Sequence, residues 1–345
     1  MPWLTSTGRA FAALLARLGF YQMMKTPKMQ VMSFAISLMF TLLLAPAGPI
    51  HAQDPARPMF STGVAVVPIT ALVRDSRNRI VRDLVRDDFQ VLENGQLRPI
   101  VDFKAKHDAP VSVAFLFDTS GSMRLALNLE KGIWFIEQFL SQMAPSSDEA
   151  ALFTFHKALR QEVPFTSDRD RIHRALGHVN PWGLTSLYDA VAETAKQLAD
   201  RPAPRRAVVV ISDGIDTSSE LTSQEVSALA SAIDVPVYVV AVVSPLDHPS
   251  HGTEVVPDGA GGSLSDLAYW TGGDLLYVTV PEQASVVTRD LIAAMRQQYF
   301  LAIESATAPG WYPIEVKTKR RGLTVRARAG YVADAPTANP SNQHR

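Results

Sequence analysis

Short runs of uncharged, apolar residues alternate with amphipathic stretches between residues 109 and 298. The apolar runs are typical of strands buried on both faces of a parallel sheet. They are Val113–Phe117, Ala150–Phe155, Ala207–Ile211, Val237–Val243 and Leu275–Val278. The amphipathic stretches repeat apolar residues at the helical period and predict helices. They are Leu125–Met143, Asp170–Leu176, Leu187–Leu198, Ser223–Ile233, Leu264–Trp270 and Pro281–Gln298. This alternation predicts an α/β fold with a doubly wound, mostly parallel sheet.

Short strands without helices flank this region on both sides. The early strands are predicted at Val64–Val73, Arg79–Val81, Phe89–Glu93 and Pro99–Lys104. The late strands are predicted at Tyr299–Glu304, Tyr312–Thr318 and Leu323–Ala329. Neither set is large enough to bury a hydrophobic face by itself. We therefore predict that both sets together form one small, discontinuous β-sandwich.

These patterns predict the domain boundaries. Residues 57–108 supply the early strands of the β-domain, and residues 109–283 form the α/β domain. Residues 284–333 supply the closing helix and the late strands. The polar, Pro- and Asn-rich tail, 334–345, is predicted to be disordered.

The first 52 residues have the pattern of a secretory signal peptide. Lys25 and Lys28 precede an uncharged stretch whose apolar part runs from Val31 to Ala45. A basic start, a short apolar segment and a small residue before a polar one are the marks of a cleaved leader, and we place cleavage after Ala52. The alternative is an uncleaved anchor close to a membrane, for which the apolar segment is shorter than the usual span of about 20 residues. The prediction is an exported protein, either periplasmic, on the outer surface or secreted.

Composition excludes several classes of function. The 345 residues carry a formal net charge of -1, whereas a general nucleic-acid binder has a clear basic excess. The chain has no cysteine, which rules out disulfides, a cysteine nucleophile and thiolate zinc sites. It also lacks the P-loop, the Gly-x-Ser-x-Gly elbow and the His-Glu-x-x-His motif of common hydrolases. We therefore predict that the protein is not an enzyme, and keep a metal-dependent hydrolase as the weaker alternative.

A polar motif follows the first strand of the predicted sheet. The strand Val113–Phe117 ends in Asp118, Thr119, Ser120, Gly121 and Ser122. Ligands of open α/β sheets bind beyond the carboxyl ends of the strands, so this motif lies where the fold places its chemistry. One carboxylate and two hydroxyls are hard oxygen ligands, which suit Mg²⁺ or Mn²⁺ and suit zinc poorly.

The pattern Asp-x-Ser-x-Ser resembles the metal-ion-dependent adhesion site of von Willebrand factor type A domains, which have a Rossmann-like fold. Two further parts of that site have counterparts downstream. The segment 183–190 resembles the family's threonine loop, with Thr185 as ligand, and the segment 208–214 resembles its second aspartate strand, with Asp213 as ligand. The alternative is that Asp118 and Ser120 only cap the next helix, but capping predicts neither Thr185 nor Asp213.

The resemblance implies a metal site and a kind of partner. The implied ligands of Mg²⁺ or Mn²⁺ are Asp118, Ser120, Ser122, Thr185 and Asp213. One coordination position is left for an Asp or Glu carboxylate of a protein partner. The whole arrangement also resembles von Willebrand A-related proteins of Acidobacteria, which end in a Gly-Tyr like Gly330-Tyr331 and whose function the resemblance leaves unassigned.

The acids and histidines near the candidate site each allow both a structural and a functional interpretation. Asp216 either supports the metal site or caps a turn, and Asp189 is expected to stabilise the start of its helix. The loop between Ser244 and Ser263 contains His248 and His251, but its Pro and Gly residues favour a surface loop over a second metal site. A structural envelope or assembly protein without a metal-dependent ligand is the main alternative for the whole chain. We expect the side chains of Asp118 and Thr185 to point out of the strand ends, so that alanine substitutions leave the stability nearly unchanged.

Overall fold

The structure is a computed structural model that describes residues 66–105, 109–199, 201, 205–214, 216–232, 234–243 and 264–333. The predicted signal peptide, the 244–263 loop with His248 and His251, and the 334–345 tail lie outside the described residues. Among the described residues, no helix has both the length and the apolar character needed to cross a membrane.

Strands and helices are numbered here in chain order. The strands are β1 Val66–Asp75, β2 Phe89–Glu93, β3 Gln96–Arg98, β4 Asp102–Lys104, β5 Val111–Asp118, β6 Glu149–Phe155, β7 Leu159–Thr166, β8 Arg205–Ser212, β9 Val237–Val242, β10 Leu275–Val278, β11 Tyr299–Glu304, β12 Gly310–Thr318, β13 Leu323–Ala327 and β14 Gly330–Ala333. The α-helices are α1 Asn128–Gln142, α2 Arg169–Leu176, α3 Leu187–Ala199, α4 Ser223–Ala232, α5 Leu264–Thr271 and α6 Pro281–Arg296. Two 3₁₀ segments, Arg86–Asp88 and Gly121–Leu127, precede β2 and α1.

The central sheet has six strands in the order β10-β9-β8-β5-β6-β7. All neighbouring pairs are parallel except β6 with β7, which is antiparallel. Residues of β5 alternate between two hydrophobic cores: Phe115 and Phe117 face the side covered by α1, α2 and α6, and Leu116 faces the side covered by α3, α4 and α5. Because both faces are covered, every residue of β5 is buried. This confirms the predicted doubly wound α/β fold.

Two four-stranded antiparallel sheets form the β-sandwich. Their orders are β13-β1-β11-β4 and β14-β12-β2-β3. Each sheet combines early and late strands: β1 pairs with β11 from Val66↔Glu304 to Ala71↔Tyr299, and β2 pairs with β12. Ile69, Val91 and Tyr299 lie in the hydrophobic core that the two sheets share. The sandwich is therefore closed only when both ends of the chain contribute.

The strand predictions need four corrections. Arg79–Val81 is not a strand, because a turn closed by Asp75 leaves only a single bridge between Arg74 and Ile80. The short strand β3 and the edge strand β7 were not predicted. The predicted strand 99–104 begins only at Asp102. The last predicted strand corresponds to β13, and β14 beyond it was not predicted. With Arg79–Val81 lost and β3 and β14 gained, the sandwich has eight strands and not seven.

Helix α1 begins three residues later than predicted. Ala126 and Leu127 have left-handed backbone conformations, with φ of 50° and 60°, which ends the 3₁₀ segment before Asn128.

A buried, polar contact joins the α/β domain to the sandwich. Arg328, beyond β13, donates to the Ser231 carbonyl at 2.8 Å, also bonds the Pro68 carbonyl, and pairs with Asp234.

Candidate metal centre

Asp118 ends the central strand β5 and is fully buried, with 0% of its surface exposed. Its Oδ1 accepts a hydrogen bond from the Ser120 amide at 2.8 Å, and its Oδ2 accepts one from the Ser212 hydroxyl at 2.6 Å. The side chain that was expected to point out of the strand end is therefore buried and hydrogen-bonded. The carboxylate is held in place by the loop after β5 and by the last residue of β8.

The pKa of Asp118 is raised to about 6, chiefly by burial and to a smaller extent by the negative charge of Asp213. Hydrogen bonds from Ser212 and Ser120 oppose this rise, because they stabilise the ionised carboxylate. Burial and a neighbouring acid both disfavour the ionised form of Asp118, which a nearby cation would stabilise. The electrostatics of this sheet edge therefore favour a bound cation.

Ser120 and Ser122 lie side by side above Asp118. Their hydroxyl oxygens are 3.1 Å apart. Two neighbouring oxygens of an octahedral Mg²⁺ shell are about 3 Å apart, since each lies 2.0–2.1 Å from the ion. The spacing of this pair thus fits adjacent ligand positions, and hydroxyls with carboxylates are the donor types that Mg²⁺ and Mn²⁺ prefer.

The threonine loop, residues 180–186, carries Thr185. Its backbone is hydrogen-bonded to the serine loop, residues 119–127, which carries Ser120 and Ser122. The Trp182 amide donates to the Thr119 carbonyl at 2.8 Å, and the Gly121 amide donates to the Gly183 carbonyl at 3.1 Å. Gly183 has φ of +87°, a conformation in which glycine is favoured. Two residues later, Thr185 is buried. The threonine predicted as a ligand therefore lies in a loop that contacts the serine loop directly.

Thr217 holds the backbone of Thr185 from the opposite side. The Thr185 amide donates to the Thr217 hydroxyl at 2.9 Å, and the Thr217 amide donates back to the Thr185 carbonyl at 2.9 Å. Sequence reasoning missed Thr217, because nothing in its local pattern distinguishes it from other loop hydroxyls.

Asp213 follows the end of β8, the strand next to β5. The two strands pair in register at Phe117↔Ile211, so their carboxyl ends lie side by side. Asp213 is half-buried, and the preceding Ser212 links the two loops through its bond to Asp118. Ser212 was also missed, although its place between a buried strand and an acid was a readable signal. All five predicted ligands thus lie in three adjoining loops at one edge of the sheet.

Asp216 and Asp189 have structural partners. Asp216 Oδ1 accepts from the Leu187 amide at the start of α3, at 2.8 Å, and from the Ser219 hydroxyl at 2.6 Å. Asp189 accepts from the amides of Glu220 and Leu221, both at 2.9 Å. Both acids therefore fasten the loop after β8 to α3. Asp216 caps the start of α3, whereas Asp189 binds loop amides, and its expected effect on the start of its own helix stays a prediction.

Among the described residues, His, Asp and Glu form no cluster of three that could hold an ion, and the candidate centre itself combines two acids with hydroxyls. His156 lies after β6, and its ring packs against Trp182 with centroids 4.9 Å apart. Its Nδ1 accepts from the Lys157 amide at 2.6 Å, so this nitrogen is already engaged.

Comparisons with known proteins identify the α/β domain. Residues 113–215 match the sequence profile of the von Willebrand factor type A domain family. An uncharacterized protein of Borreliella burgdorferi is 28% identical over 112 residues, so the match spans about a third, 32%, of this chain and of that relative.

Two solved structures resemble parts of this chain at low sequence identity. The conserved hypothetical protein BatB from Bacteroides thetaiotaomicron is 19% identical, covering 53% of this chain and 98% of that chain with a TM-score of 0.43. The vWF domain of the type V pili tip protein Mfa5 from Porphyromonas gingivalis is 21% identical, covering 33% of this chain and 41% of that chain with a TM-score of 0.30.

The sequence match begins within β5 and ends just after β8, so it contains the serine loop, the Thr185 loop and Asp213. The resemblance to the Acidobacterial group stays a prediction. On the family match and the doubly wound sheet, this chain contains a von Willebrand factor type A domain.

Proposed function

We propose that this protein is an exported binding module that captures a partner protein through a divalent metal site. Asp118, Ser120, Ser122, Thr185 and Asp213 would hold Mg²⁺ or Mn²⁺. When bound, the ion supplies a positively charged coordination position that accepts an Asp or Glu carboxylate of the partner. The observation that carries the proposal is the convergence of these residues in three hydrogen-bonded loops at one sheet edge.

Each residue of the set has a definite task in this proposal. Asp118 and Asp213 supply the negative charge that offsets dehydration of the cation, and Ser212 with the Ser120 amide keeps the Asp118 carboxylate oriented. The hydroxyls of Ser120, Ser122 and Thr185 supply neutral oxygens. The bound ion would therefore keep a net positive charge and attract a further carboxylate. The bonds from Gly121 and Trp182 fix the distance between the serine loop and the threonine loop.

Calorimetric titration with Mg²⁺ and with Mn²⁺ tests the site directly. Wild type is expected to bind one ion, and Asp118→Ala is expected to lose binding. Asp290→Asn, which removes an exposed carboxylate on α6, is the matched control and should bind like wild type. If Asp118→Ala binds metal as wild type does, the proposed site is wrong.

A second experiment separates the binding module from its alternatives. Envelope extract is passed over the immobilised protein with Mg²⁺ and then with EDTA. The proposal expects a partner that is retained with Mg²⁺ and released by EDTA. A protein that binds metal but retains nothing, or whose retained proteins ignore EDTA, would instead be a structural or assembly component. Turnover of a phosphoester or peptide substrate would favour the hydrolase.

A further inference from the structure

Exposed apolar side chains concentrate around the candidate metal site. Among the described residues, eleven large hydrophobic side chains are exposed. Four of them lie in the serine loop and the threonine loop, and they are Leu125, Leu127, Trp182 and Leu184, with 66%, 64%, 61% and 54% of their surfaces exposed. Single exposed apolar residues are ordinary, whereas a group of them beside a polar site marks an interaction surface. We call these four residues the apolar rim.

The two halves of the apolar rim belong to one surface. The Gly121–Gly183 and Trp182–Thr119 backbone bonds join the loop that carries Leu125 and Leu127 to the loop that carries Trp182 and Leu184. Ser122 and Thr185, two of the proposed ligands, stand in the same two loops. The apolar rim and these two proposed ligands are therefore carried by the same pair of hydrogen-bonded loops.

The backbone holds one half of the apolar rim away from the core. Five non-glycine residues in the described part of the chain have positive φ, and three of them are Asn or Asp, which tolerate this conformation. The other two are Ala126 and Leu127, which are consecutive and lie within the apolar rim. Such strain is typical of functional segments. A helix that continued back to Leu125 would remove it, yet the chain keeps these leucines exposed.

Two exposed basic residues lie in or beside the loops of the apolar rim. Arg124 lies exposed within the serine loop, and Lys157 lies exposed next to His156, whose ring contacts Trp182. Beyond Asp118 itself, neither the stretch 119–127 nor the stretch 180–186 contains an acid. The surface therefore complements a ligand that combines negative charge with apolar groups.

We infer that the apolar rim receives a partner segment in which the metal-seeking Asp or Glu is flanked on both sides by apolar side chains. This inference rests on the proposed function, since the carboxylate is the group bound at the metal position. The flanking side chains would pack on Leu125, Leu127, Trp182 and Leu184. They would exclude water from the carboxylate, and electrostatic contacts are stronger where water is excluded.

Selection from a displayed library of random peptides identifies the ligand chemistry. Peptides are bound to the full chain in Mg²⁺ and eluted with EDTA. We expect the enriched sequences to share an Asp or Glu with an apolar residue on each side. Enrichment of acidic peptides without apolar neighbours, or of apolar peptides that EDTA does not release, would overturn the inference. So would the failure to enrich any peptide on a protein that binds Mg²⁺.

Variants of the apolar rim test the surface itself. Trp182→Ser and the double variant Leu125→Ser/Leu184→Ser change exposed side chains and should lower the affinity for an enriched peptide roughly tenfold or more. Trp134→Ser and Leu97→Ser, at exposed positions outside both loops, are the matched controls and should bind like wild type.

Calorimetry with Mg²⁺ alone, without peptide, separates the two proposals. Rim variants should bind Mg²⁺ like wild type, because none of the four residues is a proposed ligand. Rim variants that bind both Mg²⁺ and peptide normally would overturn the inference and leave the proposed function intact. A wild-type protein that binds no Mg²⁺ would overturn both.

Discussion

Replacement of Asp118 with Asn should stabilise the metal-free protein above pH 6. The carboxylate is fully buried, and its pKa is raised from 3.8 to about 6. A difference of this size corresponds to about 3 kcal/mol between the two protonation states. Because the folded pKa is the higher one, the unfolded chain gives up this proton at lower pH than the folded chain does. Ionisation of Asp118 therefore lowers the free energy of unfolding as the pH rises from about 4 to about 6.

Asn has nearly the same shape as Asp and carries no charge. Its side-chain oxygen can still accept from the Ser120 amide, and the Ser212 hydroxyl can turn to accept from its amide group. In EDTA, the variant and wild type should have similar free energies of unfolding at pH 4. Above pH 6 the variant should be more stable by about 1 to 3 kcal/mol, where the lower figure allows for an imperfect hydrogen bond to Ser212.

Urea denaturation in EDTA at a series of pH values between 4 and 8 measures this difference. Added Mg²⁺ should raise the stability of wild type and leave Asp118→Asn unchanged, since only a native state that binds the ion gains from it. Asp290→Asn, on the exposed face of α6, controls for the loss of a negative charge as such. A gap between variant and wild type that stays constant with pH would refute the reasoning, and so would a variant that is less stable than wild type at pH 7.

Three further predictions address the ligand set, the packing and the leader. Thr185→Ala should weaken Mg²⁺ binding at least about tenfold by calorimetry, while Thr185→Ser, which keeps the hydroxyl, should bind nearly as wild type does. Gly132→Ala should lower the free energy of unfolding by about 1 to 3 kcal/mol in urea, because the new Cβ would lie 2.5 Å from the Phe117 ring. Gly177→Ala, whose nearest atom would be 3.5 Å away, should cost less. N-terminal sequencing of the mature protein should begin near Gln53, and recovery of full-length chain from the cytosol would contradict export.

The central sheet could be predicted from sequence because its signals are local. The run Val113–Phe117 has no charge, and the acid that ends it is the first residue of the site. The sequence Asn94-Gly95 likewise predicted a hairpin turn after β2, although the partner strand β3 is too short to detect from its sequence. The strand β7 was missed because it is an edge strand that contains a proline and four polar residues among its eight, and only its pairing with β6 defines it.

Tertiary contacts explain the other failures. Apolar spacing alone extends α1 back to Leu125, and nothing in that spacing reveals the left-handed turn at Ala126 and Leu127. The carboxylate of Asp118 is oriented by Ser212 at the end of β8, which is 94 positions away in the chain. Sequence motifs therefore located the candidate ligands, while the groups that orient them became visible only in three dimensions.

The pairing of β4 with β11 bears on how the protein would carry mechanical load. The chain leaves the sandwich for the α/β domain after β4 and returns to it at β11, and these two strands are hydrogen-bonded neighbours from Phe300↔Lys104 to Ala302↔Asp102. A pull on a partner held at the sheet edge would reach the sandwich through two covalent crossings at once, as well as through the Arg328 contacts, so neither crossing would bear the whole tension. The crossings would be drawn in the same direction, which places little shear on the β4–β11 ladder. A force that pulls β1 and β14 apart would instead act on the sandwich first. It would place little load on the α/β domain, because that domain is inserted between the paired strands β4 and β11.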